Sequence, residues 1–306
     1  MKILAQYQET LDRLNDNYIG RKQNGMPGLP VYANYLNERE WMRIKREELK
    51  QPPPWTEDEI LANFRFTNIH REDDKVSRQL LGHMDLTAPL PIILFNAVMF
   101  RSFNSLVGFE ACGGWTTEWD RDATLVRANE AYENGASMFG NAYLITNSLT
   151  KGAPKHVYFI NLMEDIWNDR ETLVELIQSC NSLQETMQLF TGYPGYAEFL
   201  GYELALDMEM VGILINPKDK HTWANPGPGA RRGLNYVHGR DKNYKQPTSD
   251  FLDEMKVLYE EAEYFLEPHI DLDHFDMRCI ENGLCETGKY YSVLQTGRAK
   301  RRYLHV

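Results

Sequence analysis

The 306-residue sequence has little cysteine, and its cysteines are dispersed. Cys112, Cys180, Cys279 and Cys285 form no CxxC pair. Disulfide-stapled folds and zinc or iron–sulfur centres need denser clusters, so these thiols read as reduced and structural. Long apolar runs are also missing. A membrane helix needs about 20 consecutive apolar residues, whereas the longest stretch, Leu90 to Phe100, is broken by Pro91 and Asn96 and reads as a buried helix. No membrane association is expected. The opening MKILAQYQETLDRL has a short apolar start and then charges, which reads as a helix rather than a signal peptide. A cytoplasmic protein is the expectation. Excess positive charge is absent too, with 33 Lys and Arg against 44 Asp and Glu, a net charge of −11. That argues against non-specific coating of nucleic acid, which phosphate neutralisation dominates. It leaves room for a DNA enzyme with a local basic surface.

Two basic clusters could provide one. The first runs through Arg231, Arg232, His238, Arg240, Lys242 and Lys245, and the second is the tail Arg298, Lys300, Arg301 and Arg302. Either could equally be a solvated loop or terminus.

Apolar residues recur at three- and four-residue spacing, as in Leu173, Leu176, Ile177, Cys180 and in Met255, Leu258, Tyr259, Ala262, Phe265. That period predicts helices. Val157 to Ile160 could be a short strand but sits among helical patterns. The chain therefore reads as all-α. Gln51-Pro-Pro-Pro54 is a breaker, placed between an N-terminal helical extension (1–54) and the main helical domain (55–306). Thr56 is the expected N-cap of the next helix. A second breaker is Asn225-Pro-Gly-Pro-Gly229, and Asp241 to Asp250 reads as a mobile polar loop.

The stretch SLQETMQLFTGYPGYAEFLGYELALDM predicts a helical hairpin. Ser182 caps the first helix, Gly192 to Ala197 turn the chain, and the second helix runs from Glu198 to Met208. A helix–hairpin–helix module uses such a turn to present backbone N–H groups to a DNA phosphate. Gly192, Gly195 and Tyr196 are the DNA-binding candidates, with Gly201 as the small residue the pattern needs. Ala197 replaces the usual second glycine. An ordinary helical hairpin whose turn needs glycine would look the same.

FRFTNIHREDDKVSRQL packs Arg65, Asn68, Arg71, Glu72 and Asp74 into ten residues. On a helix Arg65, Asn68 and Glu72 would share a face, with Arg71 and Asp74 beside it. Arg101 and Asn104 repeat the theme on an apolar helix, where a charged Arg must be paired or face a cavity. A phosphate pocket is the favoured reading, and an ion pair with Asp74 or Glu72 the alternative. Gly227, Gly229 and Gly233 with Arg231 and Arg232 make either an anion-binding turn or a glycine-rich connection that lets helices pack. This run is not a P-loop, because it lacks the Lys-Ser/Thr ending.

Five blocks occur in order: FRFTNIHREDDKVSRQL, FNAVMFRSFN, YPGYAEFLGYELALD, NPGPGARRGLN and IENGLCETGKY. Together they resemble the α-glutamyl/putrescinyl-thymine pyrophosphorylase family, also described as the helical domain associated with 5-hydroxymethyluracil DNA kinases. The resemblance covers roughly residues 60 to 300. It implies a bacteriophage protein at work in the infected host cell. It also implies a helix–hairpin–helix DNA-glycosylase-like fold, with two helical lobes and a cleft. The implied activity replaces an activated phosphate or pyrophosphate on 5-hydroxymethyluracil in DNA with an amino acid or polyamine. DNA with the base flipped out, a small amine and a base kinase are the implied partners, and no cofactor is needed.

On that reading Arg65, Arg71 and Arg101 grip the leaving group, with Asn68 and Asn104 beside them. Glu72, Asp74 or Asp207 positions the amine. Glu281, Glu286 and Lys289 form a supporting polar cluster. A buried ion-pair network remains the alternative for the Arg65 to Asp74 group, and a cap or ion pair the alternative for Asp207. Asp219, beyond the hairpin, is the weaker counterpart of a glycosylase aspartate. Cys285 reads as packing rather than a nucleophile. A glycosylase or lyase, and a non-catalytic partner of a base kinase, are the competing functions.

Overall fold

The computed structural model describes residues 26–140 and 152–297. The helix expected at residues 1–14 and the basic tail from Arg298 lie outside them. Among the described residues thirteen α-helices follow one another, with no β-strand. They are α1 (Leu29–Arg43), α2 (Glu59–Asn63), α3 (Lys75–Gly82), α4 (Leu90–Phe103), α5 (Leu106–Ala111), α6 (Arg121–Glu133) and α7 (Lys155–Cys180). Then come α8 (Leu183–Thr191), α9 (Glu198–Met210), α10 (Pro228–Val237), α11 (Thr248–Glu260), α12 (Ala262–Phe265) and α13 (Met277–Thr296). The all-α expectation holds, and Val157 to Ile160 are helical, inside α7. None of these helices is long and apolar enough to cross a membrane.

The chain packs as two units, one formed by residues up to Asp73 together with those from His221 onward, the other by Asp74–Lys220. In the first, α13 is the central helix. Asp276 caps it, accepting from the Arg278 amide at 2.9 Å. Helix α10 lies against α13 through glycines. A Cβ on Gly233 would sit 1.9 Å from the Leu284 carbonyl oxygen, and one on Gly229 would sit 2.3 Å from the Cys285 sulfur. At Gly233 backbone meets backbone and at Gly229 backbone meets the Cys285 side chain, as the packing alternative for these glycines requires. Asn37 of α1 clamps the chain after α12, donating to the Phe265 carbonyl at 3.0 Å and accepting from the Glu267 amide at 2.9 Å.

In the second unit α4 is the core. Ile93 to Phe103 are all buried. Phe95 packs edge-on against Trp119 and Trp167 at 4.9 and 4.8 Å. Burying a ring of this size stabilises by about 1.5–3 kcal/mol. The helical hairpin forms as the sequence predicts: Ser182 accepts from the Glu185 amide, and α8 and α9 flank the turn. Gly201 is small because a Cβ there would lie 3.0 Å from Thr191 and 3.1 Å from the Met187 carbonyl oxygen.

Three local expectations need correction. The cap of α2 is Asp58, which accepts from the Ile60 and Leu61 amides; Thr56 instead accepts from the Asp58 amide and donates to Glu38 at 2.8 Å. The segment Phe64 to His70 is irregular, followed by a 3₁₀ turn at Arg71–Asp73, so the helix expected across this block begins only at Lys75. The polar segment from Asp241 is pinned, because Asn235 donates to the Tyr244 carbonyl at 3.0 Å and α11 starts at Thr248.

Candidate functional site

The sequence candidates fall into two clusters, one in each unit. In the first unit the Arg65 block meets the last block. On α13, Asn282, Glu286 and Lys289 share a helical face at i, i+4 and i+7, and that face holds the irregular segment. Glu286 accepts from the Thr67 amide at 3.1 Å. Asn282 accepts from the Thr67 hydroxyl at 3.1 Å and donates to the Asn68 carbonyl at 2.8 Å. Lys289 donates to the Arg65 carbonyl, pairs with Glu286 at 3.1 Å and lies 4.4 Å from the Phe66 ring centre. Arg65 itself is exposed. Glu72 is about half exposed and lies 3.3 Å from Arg278, which also pairs with Asp276 at 2.6 Å.

Asn68 is buried and closes a turn by donating to the Asp73 carbonyl at 2.7 Å. Its side-chain oxygen accepts from Arg39, a residue of α1 that the sequence reading missed. Arg39 is 4% exposed and also donates to the Phe66 carbonyl at 3.4 Å. Its Nε and Nη1 have no hydrogen-bond partner. One turn on, Arg43 is engaged by Glu40 at 2.6 Å, Glu48 at 2.8 Å and Asp73 at 3.2 Å. His70, in the Asn68 turn, is buried with its Nε2 unpartnered. Arg71 is half-buried in the same turn.

The second cluster joins Arg101, Asn104 and Asp207, three candidates from separate blocks. Arg101 grips Asp207 with two bonds, Nε to Oδ2 at 2.5 Å and Nη2 to Oδ1 at 2.6 Å. Nη1 donates to Asn104 at 3.0 Å, and Glu203 lies 3.8 Å away. Arg101 is 1% exposed and Asp207 0%. Arg101 therefore pairs with Asp207. A planar guanidinium matched to a carboxylate in this way is a strong pairing, and the cation is already neutralised. Asp74 precedes α3 at its N-cap position without a side-chain cap bond.

The hairpin turn is folded but acidic. Gly195 has φ +105°, and a Cβ there would meet the Tyr158 ring at 2.9 Å. Gly192 is exposed. Tyr196 is buried and bonded to the Ser102 hydroxyl at 2.6 Å, so its ring packs the hairpin. Glu198 occupies the first turn of α9. Tyr193 donates to Asp169 at 2.7 Å, and burial and the Asp169 and Asp165 carboxylates push its phenol up. Asp219 accepts from the Leu183 amide at 2.7 Å, the Gln184 amide at 3.0 Å and the Ser182 hydroxyl at 2.7 Å. It serves the start of α8.

The charge is divided unevenly. Residues 74–220 carry 19 Asp and Glu against 10 Lys and Arg, and the rest of the chain carries 25 against 23. Within the first basic cluster Arg231 donates to the Pro226 carbonyl at 2.7 Å and stacks on Phe251, and Arg240 pairs with Glu254. Arg232, Lys242 and Lys245 are exposed. Glu281 points near Gly227 at the start of α10, 3.8 Å from where a Cβ would be. Burial pushes the Cys112 and Cys285 thiols up to about 12, and Cys279 well above its ordinary value. All four cysteines are free.

An all-helical chain with a buried arginine cluster in each unit matches a known domain class. Residues 27–298 match the model of the 5-hmdU DNA kinase helical domain, and the chain belongs to that family. It is similar to the 5-hmdU DNA kinase of Bacillus phage SP10, with 27% identity over 296 residues, 88% of this chain and 45% of that protein. The chain thus spans less than half the length of that relative. No solved structure matches it. The match begins ahead of the five blocks and takes in α1, including Arg39.

Proposed function

We propose that this chain acts on DNA carrying 5-hydroxymethyluracil, in a phage-infected cell, and replaces an activated phosphate or pyrophosphate on that base with an amine. The observation that carries this reading is the family match across residues 27–298. The chain spans only part of a kinase relative and has no P-loop, so the reading places it after phosphorylation of the base. The base would be flipped from the duplex. The amine nitrogen bonds to the exocyclic methylene carbon. The carbon–oxygen bond breaks with its electron pair going to the departing phosphate, and the amine proton passes to a carboxylate or to water. Arginine stabilises the charge developing on the leaving group. DNA phosphates are assigned to the exposed cations Arg65, Arg232, Lys242 and Lys245, because the hairpin turn is surrounded by carboxylates. The helix–hairpin–helix glycosylase-like fold remains part of this proposal.

The test is to incubate the protein with DNA bearing pyrophosphorylated 5-hydroxymethyluracil and a panel of amines, then digest to nucleosides for mass spectrometry. An amine adduct is the expected result. An abasic site would move the assignment to a glycosylase; the helix-capping role of Asp219 speaks against that outcome. One observation favours a second reading, a DNA-engaging partner domain of a base kinase without chemistry of its own: the Arg101 guanidinium is buried and bonded to Asp207 and Asn104. DNA unchanged under every amine would support it.

A further inference from the structure

Arg39 is a positive charge, more than nine-tenths buried, and no carboxylate of the described residues pairs with it. Its two acceptors, the Phe66 carbonyl and the Asn68 amide oxygen, are neutral, and both are reached from Nη2. One N–H on Nε and two on Nη1 stay unused. Removing a cation from water without an anion is strongly unfavourable. The same fold shows the contrast: Arg101 is equally buried and is met by Asp207 in two bonds. Arg43, on the same face of α1, is met by three carboxylates. A second buried polar atom without a partner, His70 Nε2, belongs to the turn that Asn68 closes. The Phe64 to His70 segment over Arg39 is irregular and is held by side chains of α13.

We propose that Arg39, with Asn68 and the turn to Asp73, is the floor of an oxyanion site whose ligand is a phosphoryl group. The free N–H groups of Arg39 supply the donors, and the anion supplies the charge the protein withholds. This rests on the proposed action on a phosphorylated base and names the residue that holds its leaving group. A carboxylate of an incoming amino acid shares the oxyanion chemistry.

The test is calorimetric titration of the full chain with sodium pyrophosphate, sodium phosphate and sodium glutamate, with thermal unfolding in parallel. Saturable binding of pyrophosphate is expected, with a rise in unfolding midpoint because a ligand of the native state stabilises it. Arg39→Lys should weaken binding at least tenfold, and Arg39→Met should abolish both binding and the midpoint rise. Asn68→Asp places a carboxylate on the guanidinium and should also abolish binding, which keeps the test decisive if Arg39→Met fails to fold. Binding of glutamate alone would assign the same site to a carboxylate. Absence of saturable binding by the unaltered protein, or equal affinity in the Arg39 variants, would overturn the proposal. No DNA or amine is used, so this result is separate from the adduct assay. Binding without adduct sinks the transferase reading alone, and adduct without binding sinks this site alone.

Discussion

Arg101→Met is the most informative single change, because two accounts of Arg101 predict opposite results. If Arg101 grips a leaving group, its loss removes chemistry and spares the fold. The geometry points the other way. Asp207 is 0% exposed and accepts both of its Arg101 bonds at 2.5–2.6 Å, and Glu203 lies 3.8 Å off. Removing the guanidinium strips a buried carboxylate of two charge-assisted bonds and leaves a second carboxylate close by. Breaking a buried pair from one side costs about 3–5 kcal/mol, a large part of the roughly 5–15 kcal/mol that holds a domain together. With a urea dependence of about 3 kcal/mol per molar, the unfolding midpoint should fall by about 1–1.7 M, followed by circular dichroism. Arg101→Met with Asp207→Leu replaces the whole pair by apolar atoms and should recover most of that loss. A single variant that keeps its midpoint within about 0.2 M while losing all adduct formation would refute the reasoning.

Gly233→Ala should be more harmful than Gly229→Ala. The first drives a Cβ into a backbone oxygen at 1.9 Å and the second into a side-chain sulfur at 2.3 Å that can rotate away; overpacking of this kind costs about 1–3 kcal/mol, read as a drop in melting temperature. Asp219→Ala should lower stability by about 1–2 kcal/mol through lost capping and leave DNA chemistry intact, which an adduct assay on the folded variant checks. Burial lowers the pKa of His156, so the folded state favours its neutral form. Its contribution is full above about pH 6.5 and is lost as pH falls from there through the folded value; His156→Gln should flatten a denaturation series between pH 7 and 5. With Cys112 and Cys285 at about 12, iodoacetamide at pH 8 should leave both unlabelled until the protein is unfolded, as peptide mass spectrometry would show.

What could be read in advance depended on how local each signal is. Ser182, the glycine turn and Gly201 sit within twenty residues of one another, and the hairpin they form was legible. So was the buried helix at the apolar run Leu90 to Phe100, where Ile93 to Phe100 are buried. The Arg65 block misled because its i, i+3, i+7 spacing fits a helix, while its conformation is set by Asn282, Glu286 and Lys289, more than 200 residues away. No local pattern carries that information. Arg39 was missed for a related reason. Helix α1 carries Asn34, Asn37, Arg39 and Glu40, and all four are buried. Polar side chains normally mark a solvated face, and packing from α10, α13 and the α12 region reverses the inference here. The pairing of Arg101 with Asp207 was half visible, since both residues were singled out, but their spacing of 106 residues concealed that they satisfy each other.

The glycine seam between α10 and α13 bears on how this unit comes into being. A glycine in a helix interior disfavours the helix by about 1 kcal/mol, and α10 contains Gly229 and Gly233 within ten residues. Its partner adds Gly288, which lies against Gly229 and Gly233. As an isolated peptide α10 would stay coil, because short helices are marginal even with good formers. Docking reverses this. Where glycine meets backbone there are no side-chain rotamers to freeze, so the ordering cost there is confined to the main chain. Helix α10 is thus conditional, and its amides should gain hydrogen-exchange protection only in step with those of α13.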